Sequence, residues 1–455
     1  MRIPKGRVVD SIPVGDTLNE SFALYLPRSF KGDTPSALIV VLDPQGRGRE
    51  SAQLFRKIAE DQSYIIAASN EDFTRDSLQN NVPKVTRLMK RLLTSLPIDT
   101  KQVYVAGLKE GGQLASAIPV LYKGLGGVMA VGDAWLNPDY ISKVSPFMFS
   151  AVVGDEDPAI YEMKNIVEFF DKAGFPSEIN YFNGGRGEWP DTFVLSNAVA
   201  GFTLQAIKKG LRKTDSTAQV SVQQLYKNEL DYAEMLRRKR EYYPAYRQLE
   251  QMEDKYEDFG YKDEIRDKLK ELRRIKAFRK QRRAYRDAAF EEDQKRDMYN
   301  SYLEYDLATT NFENVGWWAS QMDELKEMEK SGDPVKQKMA ARLEGYLKNT
   351  SLQRYRVIQA TPGAGIDLKI LASVLRTVIA KNDPEAYLNI IALAGHDGDY
   401  KTAMLYLEDL LKTGYDDIDA LYNIEGILDL KLSPEYNELI HKYLGESKYY
   451  QPSLD

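Results

Sequence analysis

Short apolar runs alternate with amphipathic stretches over roughly the first 211 residues of the chain. The runs SFALYL, SALIVVLD, YIIAAS, QVYVAG, GGVMAVG, FMFSAVVG and EINYFN predict strands. The stretches between them, such as VPKVTRLMKRLLTSL and AIYEMKNIVEFFDKAG, carry apolar residues at helical spacing. Continuous apolar strands that alternate with helices predict a mostly parallel sheet with helices on both faces, which is an α/β domain.

The rhythm changes after the polar stretch RKTDSTAQVS. Strand patterns end there, and helical periodicity continues from Val222 to Leu444, interrupted by short turns rich in glycine, proline and aspartate. The pattern predicts an α/β domain over residues 1–212, a linker over 213–221 and an all-α array of helical hairpins over 222–455.

One helical pair, DPEAYLNIIALAGHDGDYKTAMLYLEDLLKTG, resembles a tetratricopeptide repeat. Ala403, Leu407 and Leu410 follow the small-then-large spacing of the second helix of that repeat, and GHDGD is expected to be the turn rather than a metal loop. YYPAYRQLEQM and WWASQMDELKEM repeat the spacing only in part, and the 34-residue period is not kept. The resemblance implies a scaffold that binds other proteins.

A glycine-flanked lysine follows the predicted strand QVYVAG, in VYVAGLKEGG. Three further loops stand in order around it: VVLDPQGRG, VVGDEDP and NGGRGEWPD. Together they resemble the α/β-hydrolases, most closely the esterase and polyhydroxybutyrate-depolymerase-like branch. In that family the glycine-flanked residue is a nucleophilic serine on a sharp strand-to-helix turn. The other loops are implied to carry the oxyanion hole, the acid and the histidine.

The residues at these places imply a loss of catalysis. Lys109 stands at the nucleophile position, the base position falls on Arg186 or Gly187, and only the acid, Asp157, is kept. The chain has no cysteine, and its two histidines are near the C-terminus. Because acyl transfer needs a nucleophile, a base and an orienting acid, we expect no hydrolase activity. We expect Lys109 and Asp157 to form an ion pair, with Arg186 as a second cation.

Two other uses of this site remain open from the sequence. Lys109 could itself be a nucleophile in a rearranged esterase or peptidase, or the old pocket could bind a small anionic or carbonyl ligand at the Glu110 backbone N–H and the loop from Pro44 to Gly46. The predicted vestigial site consists of Lys109, Asp157, Arg186, Gln45, Glu110 and Trp189. No cofactor and no metal are expected.

Charge adds one further feature to this picture. The chain of 455 residues has a net charge of -6, which gives no general case for nucleic acid. RRIKAFRKQRRAYR, residues 273–286, nevertheless holds eight basic residues and no acid. A solvated helix face is the expected interpretation, since acids in the neighbouring stretches KDEIRDKLKE and DAAFEEDQKRD balance it. A protein-docking patch and a phosphate-binding surface are the alternatives.

Aromatic residues are frequent in the helical half, and such residues are enriched at protein interfaces. Packing between helices accounts for many of them, but an exposed aromatic groove is also predicted. The candidate partner-binding residues are Tyr242, Tyr243, Tyr246, Trp317 and Trp318.

The location of the protein is predicted from the resemblance. No stretch is long and apolar enough to span a membrane, and MRIPKGRVVD lacks the apolar core of a signal peptide. The chain is therefore expected to be cytoplasmic or to begin at a mature N-terminus. Because the relatives it resembles are exported proteins of Bacteroidota-type bacteria, we expect an inactive adaptor that binds proteins at the periplasmic side of the cell envelope, for example as an accessory part of a secretion assembly.

Overall fold

The computed structural model describes residues 3–16, 19–141, 145–185, 187–213 and 220–449. Eight strands form one sheet: β1 (Val8–Pro13), β2 (Ser21–Tyr25), β3 (Ser36–Leu42), β4 (Tyr64–Ser69), β5 (Ile98–Leu108), β6 (Gly127–Val131), β7 (Met148–Gly154) and β8 (Ser177–Phe182). Their order across the sheet is β1-β2-β4-β3-β5-β6-β7-β8. β2 is antiparallel to both of its neighbours, β1 and β4. The other six strands, β3 to β8 in chain order, are parallel to one another.

Helices alternate with the strands up to β8, and after β8 the described regular elements are all helices. The helices that begin among the strands are α1 (Gly48–Leu54), α2 (Arg56–Gln62), α3 (Leu78–Ser95), α4 (Glu110–Leu121), α5 (Ile160–Lys172) and α6 (Thr192–Lys208). The later helices are α7 (Val222–Arg238), α8 (Tyr242–Lys255), α9 (Lys262–Arg274), α10 (Lys276–Thr309), α11 (Val315–Glu329), α12 (Pro334–Ala360), α13 (Ile366–Ile379), α14 (Pro384–His396), α15 (Tyr400–Lys412), α16 (Ile418–Asn423), α17 (Leu428–Leu432) and α18 (Pro434–Leu444).

Both faces of the sheet are covered, as the apolar strands predict. Side chains of α3, α4 and α5 pack with one face, where Leu38, Val105 and Phe149 are buried. Side chains of α1, α2 and α6 pack with the other face, around Ile39 and Met129. The mostly parallel sheet between two helical layers, followed by helices alone, confirms the predicted fold class.

Two local elements differ from the sequence pattern. The pattern does not predict β1, because VVDSIP lies at the edge of the sheet and half of its positions reach solvent. The stretch ESAQLFRKIAEDQ has the apolar spacing of one continuous helix, but the structure divides it at Phe55 into α1 and α2. Phe55 is fully buried between the two helices, so the break brings an aromatic ring into the core.

The chain divides into two compact units, Met1–Arg286 and Asp287–Asp455. The first unit extends past the predicted linker at 213–221, because the helices after that linker share a core with α6. Ala200 and Leu204 of α6 belong to the same buried cluster as Leu225, Leu249 and Leu269 of α7, α8 and α9. The helices over 222–286 are therefore part of the unit that contains the sheet.

A buried polar cluster also joins α7 and α8 to the sheet. The Lys255 ammonium contacts Glu178 Oε2 and Glu229 Oε1, each at 3.1 Å, and donates to the Asn197 carbonyl at 2.7 Å. Tyr256 donates its hydroxyl to Glu229 Oε1 at 2.9 Å. The side chains of Lys255, Glu178 and Glu229 are 8%, 12% and 2% exposed, so this cluster is screened little by water.

The cluster holds two carboxylates against one ammonium, and this imbalance affects how its members titrate. Burial raises the pKa of Glu229; Lys255 opposes that effect, and the nearby carboxylate of Glu178 adds to it. Burial alone would lower the pKa of Lys255, but the two carboxylates outweigh it and raise that pKa. Lys255 is therefore the cation that Glu178 and Glu229 share.

The second unit contains the helical pair predicted from DPEAYLNIIALAGHDGDYKTAMLYLEDLLKTG. α14 and α15 pack side by side, and Gly398 turns between them with φ +82°. Ala403, Leu407 and Leu410 are fully buried at the predicted spacing. Across the described part of the chain, no helix combines the length and apolarity that a bilayer crossing requires.

Candidate functional site

Lys109 lies on a sharp turn between the end of β5 and the start of α4, and we call this turn, residues 107–111, the elbow. Lys109 has φ 50° and ψ −116°, a backbone conformation that L-residues rarely adopt. A Cβ added to Gly107 would lie 1.9 Å from the Gly111 carbonyl oxygen, and one added to Gly111 would lie 2.1 Å from the Leu42 carbonyl oxygen. The two glycines are therefore required by close backbone approach, and the tight strand-turn-helix geometry is present around a lysine.

The Lys109 side chain is held by a buried carboxylate. Its Nζ lies 2.8 Å from Asp157 Oδ2 and 3.3 Å from the Gly132 carbonyl oxygen. The Lys109 side chain is 26% exposed, whereas that of Asp157 is 2% exposed. Asp157 Oδ1 also accepts the Ala159 N–H at 2.9 Å. The ion pair expected from the sequence is thus present, with Asp157 fixed after β7 by its own loop.

The position expected for a catalytic base lies beside this lysine. Gly187 has φ +89°, and a Cβ added there would lie 3.8 Å from Lys109 Cε. Arg186, the other residue predicted for the base position and the proposed second cation, lies outside the described residues. Among the described residues of this loop, glycine rather than histidine faces the tip of the elbow.

Trp189, two residues further along, ties the loop to the end of β3. Its indole Nε1 donates to Asp43 Oδ2 at 2.8 Å, and Arg47 contributes two further bonds to the same carboxylate at 3.0 Å. Asp43 is 1% exposed. Burial alone would raise the pKa of Asp43, but the hydrogen bonds from Arg47 and Trp189 outweigh it and lower that pKa. Asp43 is therefore held as a carboxylate beneath the loop.

In the loop after β3, two backbone N–H groups donate hydrogen bonds to Asp43, a residue of the same loop. The Gln45 N–H donates to Asp43 Oδ1 at 3.0 Å, and the Gly46 N–H donates to the Asp43 carbonyl oxygen at 3.2 Å. An oxyanion hole needs such groups aimed at the place where negative charge develops. In this arrangement the Gln45 N–H is occupied by a carboxylate of the protein itself. Glu110, by contrast, begins α4, where the helix provides no intrahelical acceptor for its N–H.

Asp133 is a site residue that the sequence reasoning missed. It follows β6, the strand next to β5, and it accepts a hydrogen bond from Gln113 Nε2 at 2.7 Å. Burial raises the pKa of Asp133, while Gln113 and then the charge of Lys109 oppose that effect. An aspartate directly after a buried strand, in GGVMAVGD, was the available signal, because parallel strands place their carboxyl ends at one edge.

The aromatic residues predicted to bind partners do not form one exposed surface. Trp318 is fully buried in the core of the second unit, and its indole donates to Asp306 Oδ2 at 2.8 Å. Tyr246 is 5% exposed and packs in the core of the first unit. These two residues are corrected to core positions. Tyr242, Tyr243 and Trp317 are partly buried against the same cores.

Three features identify the fold of the first unit: the order of its strands, their directions and the elbow after β5. The fold is that of the α/β-hydrolases. No family model matches the chain, and no curated protein is similar to it. Parts of the chain are similar to solved structures of esterases and serine hydrolases, three of which follow.

A thermostable esterase is 13% identical, with 39% of this chain and 55% of that chain covered and a TM-score of 0.33. The chain thus spans about half the length of that esterase. An esterase from Pyrobaculum calidifontis is 14% identical over 46% of this chain and 86% of that chain, with a TM-score of 0.35. A fluorophosphonate-binding serine hydrolase from Staphylococcus aureus is 12% identical over 44% of this chain and 99% of that chain, with a TM-score of 0.35.

Two substitutions of Lys109 separate the loss of its ion pair from the relief of backbone strain at the elbow. Lys109→Ala removes the ion pair with Asp157 but keeps the positive φ, whereas Lys109→Gly removes the ion pair and relieves the backbone cost. We expect the glycine variant to be more stable than the alanine variant by about 1 kcal/mol, measured by urea unfolding of the full chain. An alanine variant as stable as the glycine variant would show that the elbow is unstrained.

Proposed function

We propose that this protein is a non-hydrolytic member of the α/β-hydrolase fold that works by binding protein partners. The observation that carries the proposal is the ion pair between Lys109 and the buried Asp157 at the tip of the elbow. In a working triad the acid orients a base, and the base takes a proton from the nucleophile. Here the acid contacts the residue at the nucleophile position directly, and no base stands between them among the described residues.

The surroundings of Lys109 support the same proposal. A lysine nucleophile needs a free amine, which is favoured by an apolar pocket or by neighbouring cations. Asp157 contacts Lys109 instead, and Asp133 lies close enough for the charge of Lys109 to affect its titration. The Gln45 N–H is held by Asp43 and is not directed at a substrate. The contacts of Lys109 therefore favour an ion-paired side chain over a nucleophilic one, and the bond from the Gln45 N–H to Asp43 favours a loop that does not serve as an oxyanion hole.

Hydrolysis assays test the proposal directly. We expect the full chain to show no turnover of nitrophenyl acetate or butyrate above buffer, and no labelling by a fluorophosphonate probe, because the elbow presents an ammonium rather than an activated hydroxyl. Lys109→Ala is the matched control and should be equally inactive. Turnover by the wild type that disappears in Lys109→Ala would overturn the proposal in favour of a rearranged esterase.

The second candidate function is an esterase or peptidase with a rearranged active site. The elbow geometry and the Glu110 N–H at the start of α4 favour it, since both are parts that acyl transfer uses. The binding role has its own test, which is affinity purification of the full chain from its native cells. We expect a protein partner to be recovered in stoichiometric amount under gentle extraction. If none is recovered and hydrolysis is found, the esterase becomes the better proposal.

A further inference from the structure

One exposed helix face in the first unit carries a dense group of positive charges. We call it the basic surface and define it as Arg274, Lys276, Arg279, Lys280, Arg282 and Arg283. All six side chains belong to exposed residues at the end of α9 and the start of α10. The sequence pattern favours a solvated face here, with a docking patch as an alternative. The exposure of the six side chains makes them accessible to a partner.

Helical geometry gathers these charges on one side of α10. At 100° per residue, Lys276, Arg279, Lys280 and Arg283 fall within about 100° of one another around the helix axis. Phe278, on the other side, is 1% exposed and packs into the core of the first unit. The helix is therefore fixed in place by its apolar side, and its basic side faces solvent.

The six cations have no acidic partner among the residues that the structure describes. No described carboxylate lies within 4.0 Å of any of them. Cations a few residues earlier on α9 behave differently, since Arg266 pairs with Glu253 and Lys270 pairs with Asp267. An uncompensated group of like charges on an ordered helix costs stability through repulsion, so an external anion would be favoured there.

A second basic segment lies against this helix. The Gln281 side chain donates to the Arg240 carbonyl oxygen at 2.8 Å and accepts the Tyr243 N–H at 3.0 Å. These two bonds fix the turn between α7 and α8 to α10. Arg238, the last residue of α7, and Lys239 in the turn are exposed and, like Arg240, form no ion pair with the described residues.

We infer that the basic surface is a docking site for a short acidic segment of a partner protein. The inference rests on the proposed binding function and gives it a surface and a partner chemistry. From Lys276 to Arg283 the helix is about 11 Å long, the length of three or four residues of extended chain. With the reach of arginine and lysine side chains, a segment of about four to six acidic residues matches the charges.

The length and surroundings of the basic surface favour a short segment over a long polyanion. The chain as a whole carries a net charge of -6, and the stretch after the basic surface, DAAFEEDQKRD, holds five acidic and two basic residues. A DNA duplex or an anionic membrane extends well beyond 11 Å and would meet these acids, the first of which, Asp287, follows Arg283 by four residues. A short peptide contacts only the local positive charges.

Binding of a labelled hexaglutamate peptide to the full chain tests the inference by fluorescence anisotropy at low salt. The variant carries Arg279→Gln, Lys280→Gln, Arg282→Gln and Arg283→Gln, all at exposed positions. A matched control removes the same charge from exposed sites elsewhere in the first unit: Lys31→Gln, Arg56→Gln, Lys90→Gln and Lys123→Gln. We expect at least about tenfold weaker binding for the first variant and less than about twofold change for the control.

A hexaglutamine peptide, a 20-base-pair duplex and vesicles containing phosphatidylserine complete the design. The inference predicts no binding of hexaglutamine and weaker binding of the duplex and the vesicles than of hexaglutamate. Equal losses in the two variants, no binding of hexaglutamate, or a preference for the duplex or the vesicles would each overturn it. A negative result in these binding experiments would not change the outcome of the hydrolysis assays or of the affinity purification. Failure of the docking inference is therefore distinguishable from failure of the proposed function.

Discussion

Gly111→Ala is expected to destabilise the first unit by more than about 4 kcal/mol, or to prevent it from folding. The added Cβ would lie 2.1 Å from the Leu42 carbonyl oxygen and 3.1 Å from Leu42 Cβ. Leu42 is the last residue of the central strand β3, so α4 could make room only by moving away from the sheet. Urea unfolding and the yield of soluble full-length protein measure the effect.

Gly316→Ala is the matched control, because Gly316 is the second residue of α11 as Gly111 is the second residue of α4. No atom lies within 4 Å of a Cβ added at Gly316, and its φ is not positive. Alanine there should raise the stability by about 0.5–1 kcal/mol, since glycine is the poorer helix former. A small effect of Gly111→Ala, similar to that of Gly316→Ala, would show that the contact between α4 and β3 is not close.

Lys255→Met is expected to cost about 3–5 kcal/mol of unfolding free energy. The substitution keeps the approximate size of the side chain but leaves Glu178 and Glu229 without their shared cation in a place with little water. It also leaves the Asn197 carbonyl oxygen without the ammonium that donates to it. Chemical denaturation of the full chain, followed by tryptophan fluorescence and circular dichroism, measures the loss.

A second substitution shows whether charge is the cause. Adding Glu229→Gln to Lys255→Met removes one of the two uncompensated carboxylates while keeping an acceptor for the Tyr256 hydroxyl. We expect the double variant to recover at least about half of the loss. A double variant less stable than Lys255→Met would indicate that shape, rather than charge, governs this part of the core.

The local geometry of the elbow was predictable because it depends on residues near one another in the sequence. Gly107 and Gly111 flank Lys109 at a fixed spacing, and an apolar strand precedes them, so the turn follows from local sterics. The pairing of Lys109 with Asp157 was predictable from the family resemblance, which assigns both positions to one edge of the sheet. Burial and distance could come only from the structure.

The roles of Asp43 and Asp133 were not predictable from the same information. Asp43 was part of a loop expected to supply backbone N–H groups, but its carboxylate accepts from that loop and from Trp189. Two loops from distant parts of the chain have to meet before this bond exists. Asp133 follows a strand that resembles the other buried strands, and only strand order places it next to the elbow.

Two aromatic residues of the helical part differ from the sequence-based prediction for one physical reason. Helical periodicity gives the side of a helix on which a residue lies, but not which neighbour covers that side. Trp318 was expected at a binding surface and is instead in the core, bonded to Asp306. The same limit applies to charged residues: the side chains of Lys255 and Glu229 are only 8% and 2% exposed although their helices carry many charges.

The helices after residue 221 determine where this protein can be shortened. α8 covers the edge strand β8, with the Arg247 guanidinium 4.2 Å from the centre of the Tyr181 ring and Lys255 paired with Glu178. A fragment cut within 213–221 would open that edge, and its free N–H and C=O groups would invite pairing between molecules. Truncations meant to isolate the sheet would therefore tend to aggregate unless they retain the residues through Arg286.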